Sequence, residues 1–210
     1  MATATSSTNS KKQLSTTQVS DNQPDAFRGQ PSYTVPGMTL DQGAQTAAVL
    51  QKILHTYNDL HLTLKHVHWN VVGPNFISVH QMIDPQVDAV RNYADDVAER
   101  IATLGSSPQG TPGALVEQRD WDDYSIGRAG AIEHLAALDT VYVGVISSIR
   151  KAAEDVEDLD DVTNDLLIGH LHDIEQFHWF VRAHLENAGG VLSTAGANTE
   201  KGAAAAATTS

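Results

Sequence analysis

Residues 65–105, KHVHWNVVGPNFISVHQMIDPQVDAVRNYADDVAERIATLG, decide the fold. They read as the end of one helix, a tight turn and a complete second helix. Val71-Val72-Gly73-Pro74 breaks the pattern, because proline lacks an N–H donor and glycine disfavours a helix interior. Asn75 is placed to cap the second helix, which runs to Leu104, where Gly105 stops it. Pro85 lies inside that helix and predicts a bend, or a restart with Asp84 as cap. Upstream, Val49, Leu50, Ile53, Leu54, Tyr57, Leu60, Leu64 and Val67 recur at helical spacing and predict a first helix over 41–69.

Downstream, residues 105–127 interrupt the periodicity with Gly, Pro, Ser and acidic groups, and Trp121 and Tyr124 are placed to pin a short helical turn. A third helix is expected over 126–156 with Ser125 as cap, and a fourth over 162–188 with Asp161 as cap. The fourth carries Leu166, Leu167, Leu171, Ile174, Phe177, Val181 and Leu185, and ends at Gly189-Gly190. Short links make the first and second helices, and the third and fourth, antiparallel hairpins. The link between the hairpins is long enough to cross the bundle. The expected class is all-α: a ferritin-like four-helix bundle whose long crossover carries a short helix. An up-down bundle with a loose loop is the alternative. Residues 1–38 read as a flexible arm, with Tyr33, Val35 and Met38 able to dock as an extended strip. Residues 39–190 read as the bundle, and 191–210 as a flexible tail ending in the alanine run 203–207.

Composition narrows the chemistry. The 210 residues carry 13 Lys plus Arg against 26 Asp plus Glu, for a formal charge of −13. Residues 1–39 hold three cationic and two acidic groups and 189–210 one of each, so the body carries the acidity. That argues against a nucleic-acid groove and suits solvation or the collection of cations. With no cysteine, disulfides, thiolate metal sites and cysteine catalysis are excluded. No apolar run approaches a membrane span and no secretory signal is visible, so a cytoplasmic protein is expected.

The candidate chemistry gathers on the first hairpin: His68, His80, Asp84, Asp95 and Glu99. His80 with Asp84, and Asp95 with Glu99, are four apart and share a helix face. Imidazole with carboxylates suits Fe, Mn or Zn. Yet at ~1.5 Å rise per residue, Asp84 and Asp95 lie roughly 16 Å apart along the second helix. One metal centre cannot span that. Either the two pairs are unrelated, or the second comes from another subunit across a two-fold axis, which creates two identical sites per dimer. Glu175-x-x-His178 is the sort of pair a di-metal site inside one bundle would need, but no second pair matches it.

The stretch 65–105 resembles the Dps family, the DNA-binding proteins from starved cells or miniferritins. The matching pattern is His68-Trp69, His80 twelve residues after His68, Asp84 four later, Asp95 eleven further and Glu99 four beyond. The resemblance covers about 35–190, including WDDYSI at 121–126, and is strongest to actinobacterial members, through TYNDLHLTLKHVHWNVVGPNF at 56–76. It implies a dodecameric hollow shell with ferroxidase centres between two-fold-related subunits. Each centre would take two irons, oxidise Fe(II) to Fe(III) with hydrogen peroxide in preference to dioxygen, and feed ferric oxide to the cavity. On that reading Asp95 and Glu99 of one subunit with His68 of its mate hold the tighter iron, and His80 and Asp84 complete a weaker position. Trp69 either fills the hairpin or donates an electron beside the centre.

His61, seven residues before His68, is expected as an interface or entry histidine, and the remaining histidines as structural. The acidic run Glu154, Asp155, Glu157, Asp158, Asp160, Asp161 and Asp165 is either a solvated corner or the lining of a three-fold iron pore. Many family members bind DNA through basic tails and associate with the nucleoid. Here the C-terminal tail has one Lys and one Glu, so DNA is expected to bind weakly. The competing reading is a DNA-binding structural protein with incidental metal.

Overall fold

The computed structural model describes residues 31–209. α1 spans Leu40–Asn70, opened by a capping box in which Thr39 Oγ1 accepts from the Gln42 amide (3.2 Å) and Gln42 Oε1 from the Thr39 amide (3.0 Å). A two-residue strand β1 (Val71–Val72) leads to α2 (Phe76–Thr103). The crossover carries α3 (Pro112–Gln118) and ends in β2 (Ala129–Gly130). α4 (Ala131–Val156), α5 (Asp161–Ala183) and α6 (Glu200–Thr208) follow.

The β1–β2 pair settles the topology. It is parallel, with Val71 opposite Ala129 and Val72 opposite Gly130. It therefore ties the start of α4 to the tip of the α1–α2 hairpin. The 28 residues of α2 run away from that tip for about 42 Å, so the crossover must return the whole distance. That is the ferritin-like connection, and it rules out the up-down alternative. The interior is lined by Leu50, Ile53, Tyr57, Leu60 and Leu64 of α1 and Val79, Ile83, Val90 and Val97 of α2. Leu135, Leu138, Tyr142 and Ile149 of α4 close it with Leu167, Ile174 and Val181 of α5.

α4 is long and apolar enough to cross a membrane by length and composition, but half of that stretch is buried within the bundle. It also carries the buried polar residues His134 and Asp139, so it reads as a core helix.

Several local expectations need correction. Asn75 does not cap α2 with its side chain; it takes a left-handed conformation, φ 64°, to turn the chain into the helix. Pro85 lies inside α2, as expected, and the helix does not restart at Asp84. The carbonyl the proline leaves without a donor is that of Gln81, at an exposed position where water can reach it. The crossover helix begins at Thr111-Pro112, a capping residue followed by proline at the first turn, rather than at Trp121. α4 starts five residues later than expected and Gly130 takes the cap; Ser125 bonds elsewhere. Asp160, not Asp161, caps α5, accepting from the Thr163 amide at 3.2 Å and pairing with Arg100 at 2.5 Å. α5 ends at Ala183.

The flexible tail expected over 191–210 is not what residues 191–209 show. Thr199 caps α6, and Glu200 Oε2 accepts from the Ser125 amide (2.6 Å) and hydroxyl (2.5 Å). Ala203 and Ala204 are buried as α6 packs on α4. Alanines allow that close approach because they have no bulk to accommodate. Of the arm expected over 1–38, residues 1–30 lie outside the described residues. Val35 and Met38 pack on the core, as the docking strip required, whereas Tyr33 is exposed.

Gly105 has a structural reason to be glycine twice over. It ends α2 at φ +88°, with Ser106 N donating to the Ile101 carbonyl at 3.1 Å, and a Cβ there would strike the Tyr33 carbonyl. Gly105→Ala is expected to cost about 1–3 kcal/mol, read as a lower thermal midpoint of the assembled protein. An unchanged midpoint would mean that the 31–38 strip does not hold this position in solution.

Candidate metal centre

The last turn of α1 and the first turns of α2 bring His68, His80 and Asp84 together, with ligand atoms all within 4.8 Å of one another. The two histidines are locked reciprocally. His68 Nδ1 donates to the His80 carbonyl at 3.1 Å, and His80 Nδ1 to the His68 carbonyl at 2.9 Å. The rings stack with centroids 3.6 Å apart. The His68 carbonyl is available because it lies in the final turn of α1, where no later amide claims it. Carbonyls only accept, so each Nδ1 carries the proton and each Nε2 keeps its lone pair. That is the tautomer a metal-ligating histidine needs. His68 is buried, which limits alternative rotamers.

Asp84 is half exposed, and its Oδ1 lies 3.1 Å from His68 Nδ1 and 3.3 Å from Lys65 Nζ. The Lys65 ammonium also stands 5.7 Å from the Trp69 ring centroid. Lys65 was not singled out from the sequence. Its role arises across the hairpin, where nothing in the spacing along α1 announces it. It makes Asp84 a poorer metal donor than a free carboxylate, since the oxygen is already partly neutralised.

Trp69 does not fill the hairpin: it is 71% exposed. Leu62, Phe76 and Ile77 are exposed as well, so the hairpin around the histidines presents an apolar surface. Asp95 and Glu99 are exposed on α2 and do not join the three-residue cluster. Asp95 faces an open groove with Asn58, Arg91, Asn92 and Pro108. His61 faces Arg91, Lys65 and Asp88; burial lowers its pKa first, and the two cations add to that against Asp88.

The other histidines have structural partners. His55 meets Gln118, His66 the Ile126 carbonyl, His134 Tyr124, His170 Tyr57, His172 Asp173 and His184 the Phe180 carbonyl. Glu175 pairs with Arg150 while His178 bonds Asp139, so these two do not converge on a common ion. In the acidic run, Asp160 is committed to Arg100 and Asp155 to Lys151.

A ferritin-like domain matches residues 47–190, most of the bundle. The DNA protection during starvation protein of Mycolicibacterium smegmatis is 65% identical over 173 residues, 82% of this chain and 94% of that protein. The chain belongs to the Dps family. Two solved Dps structures superpose on it. Mycobacterium smegmatis Dps has a TM-score of 0.79 at 64% identity, covering 81% of this chain and 98% of that one. DpsA14 from Streptomyces coelicolor has 0.77 at 66%, covering 78% and 97%. Within a Dps fold, the histidine pair sits at the hairpin tip and the two distal carboxylates lie more than two helical turns further along α2.

Proposed function

We propose that this Dps chain oxidises Fe(II), with hydrogen peroxide preferred over dioxygen, and stores the ferric oxide inside a dodecameric shell in the cytoplasm. Iron is the substrate. His68, His80 and Asp84 of one subunit face Asp95 and Glu99 of the partner subunit across a two-fold axis, and each centre takes two irons. The observation that carries this reading is the reciprocal His68–His80 lock, which leaves two unprotonated Nε2 atoms on one helical hairpin. Locked imidazoles without enough carboxylates nearby call for more ligands, and the exposed Asp95 and Glu99 supply them once a second copy covers the apolar hairpin face.

The residues divide the work. The buried His68 and the partner's acidic pair hold the tighter iron. His80 and Asp84, the latter shared with Lys65, hold the second more loosely, so peroxide can enter and product can leave. Two Fe(II) each give one electron to one peroxide, which avoids the single-electron cleavage that makes hydroxyl radical. Trp69 stands beside the centre as an electron donor. DNA binding by this chain at physiological salt is weak, because the acidic body offers few cations for phosphate contacts.

The assembled protein titrated anaerobically with Fe(II) and peroxide is expected to consume two Fe(II) per peroxide without forming hydroxyl-radical spin adducts. One Fe(II) per peroxide with abundant adducts would contradict the reading.

A further inference from the structure

Of the five tyrosines, four have their hydroxyls in polar pairings. Tyr142 bonds Gln86 (2.6 Å) and Tyr93 bonds Asp173 (2.7 Å). Tyr57 meets His170 Nδ1 at 3.3 Å and Tyr124 meets His134 Nδ1 at 3.1 Å. The distinction matters for redox chemistry. A phenol that loses an electron becomes a strong acid, so it gives up the electron readily only when a base in hydrogen-bond contact takes the proton. A glutamine cannot do this. A carboxylate or a neutral imidazole can.

Tyr124 and His134 meet the further conditions. His134 is fully buried and burial keeps its imidazole neutral, while the carbonyls of Asn70 and Gly127 favour the cation that proton uptake would create. The two rings are stacked, 6.1 Å between centroids. Tyr124 also contacts His66 edge-on at 5.8 Å. His66 lies three residues before Trp69 on α1, hence on the same side of the helix, and two before His68. Tyr124 is thereby in ring contact with the turn of α1 that carries Trp69 and His68. Tyr57 and Tyr93 also meet bases, His170 and Asp173, but their ring contacts join them to each other and to His170, not to His66.

We propose that Tyr124 and His134 form a proton-coupled sink for oxidising equivalents that escape the iron reaction. The hydroxyl radical made when one Fe(II) cleaves peroxide alone takes one electron, through Trp69, and becomes hydroxide. Tyr124 supplies the electron and becomes a neutral phenoxyl radical; its proton passes to His134 Nδ1. A later Fe(II) returns the electron, becoming Fe(III), and His134 returns the proton, which restores the phenol. Damage is thus drawn into the subunit interior and repaired by the substrate itself. The supply of oxidant rests on the proposed iron reaction; the sink does not.

Pulse radiolysis with azide radical, a one-electron oxidant that needs no iron, tests it on the assembled protein. In the unaltered protein the tryptophanyl absorption is expected to decay into a tyrosyl absorption. Tyr124→Phe should lower the tyrosyl yield by about half or more. His134→Gln keeps the phenol and a hydrogen-bond acceptor but removes the base, and should slow the transfer at least about tenfold. Melting and particle size report whether each variant is folded, and His134→Gln carries the test if Tyr124→Phe does not assemble. Undiminished tyrosyl formation in the folded variants overturns the proposal. In a second arm, Fe(II) and peroxide are freeze-quenched for electron paramagnetic resonance, and Tyr124→Phe should lose the tyrosyl signal while iron oxidation proceeds at its normal rate. A protein that oxidises iron with no dependence of the radical on Tyr124 refutes the sink alone. One that forms the Tyr124 radical with azide but oxidises no iron refutes the ferroxidase reading alone.

Discussion

Replacing Asp95 by Asn and Glu99 by Gln together is expected to slow peroxide-driven iron oxidation at low iron loading by at least about 100-fold. Losing a hydrogen-bond partner to a ligand already costs about 10–100-fold in metal affinity or activity, and here two anionic ligands go. The shell should survive, because both side chains are exposed on α2 and both replacements keep the shape. Asp41→Asn, exposed in the first turn of α1, serves as a charge control and should leave the rate within about twofold, the effect of one screened surface charge. Rapid oxidation persisting in the double variant would show that the acidic pair has been assigned wrongly.

The largest stability effect is expected at Asp139. Its carboxylate accepts from His178 Nε2 (2.6 Å), Arg182 Nε (2.8 Å) and the Thr194 hydroxyl (2.8 Å), joining α4, α5 and the segment before α6. Burial alone would raise its pKa, but the three donors outweigh that and hold it well below the ordinary 3.8. Asp139→Ala strands two buried donors, and with Arg182 partly in solvent the cost is expected to be about 3 kcal/mol. For a chain of this size that lowers the thermal midpoint by roughly 10 °C. Asp139→Asn keeps an oxygen toward His178 and Arg182 and should cost less.

The pH dependence separates charge from shape. A carboxyl with a depressed folded pKa contributes stability that is present above its unfolded value, near 3.8, and lost as pH falls through the lower folded value. The buried His134 and His170 are also depressed, so their contribution is present above 6.5 and lost as pH falls through their folded values. Asp139→Asn should therefore reduce the loss of stability below about pH 4, leaving the share due to the likewise depressed Asp160 and Asp173, and keep the decline that begins below about pH 6.5. An unchanged acid limb in Asp139→Asn would contradict the network's role.

Much of this was legible in the sequence because the helices bury one face at a period of 3.6. Leu50, Ile53, Tyr57, Leu60 and Leu64 carry that period and are all buried. Terminal positions were less legible because several residue types cap helices equally well. Asp160 and Asp161 are both competent, and only the tie to Arg100 from α2 selects the first. Asn75 looked like a side-chain cap, but the tight turn after Gly73-Pro74 needs a left-handed residue, and asparagine tolerates that too. The alanine run 203–207 has helix propensity, but alanines carry too little apolar contrast to mark a face, so the packing of α6 on α4 is not legible, although Thr199 with the following Glu200 is a readable start.

The centre divides in the same way. His68, His80 and Asp84 are legible as a group, since the hairpin turn between them is short and the structure brings them together. The separation of Asp95 and Glu99 from them follows from helical rise alone. Lys65 was not legible, because its influence on Asp84 and Trp69 depends on how the two helices face each other.

Complementation tests the shared centre most directly. One variant carries His68→Gln and His80→Gln; the other carries Asp95→Asn and Glu99→Gln; each is inactive alone. Co-expressed, they assemble into mixed shells, and every mixed two-fold pair joins the intact histidines of one subunit to the intact carboxylates of the other. With random pairing, about a quarter of the centres regain all their ligands, so about a quarter of the unaltered rate should return. If each chain builds its own site, no centre is ever complete, and mixed shells as inactive as their parents would contradict the account.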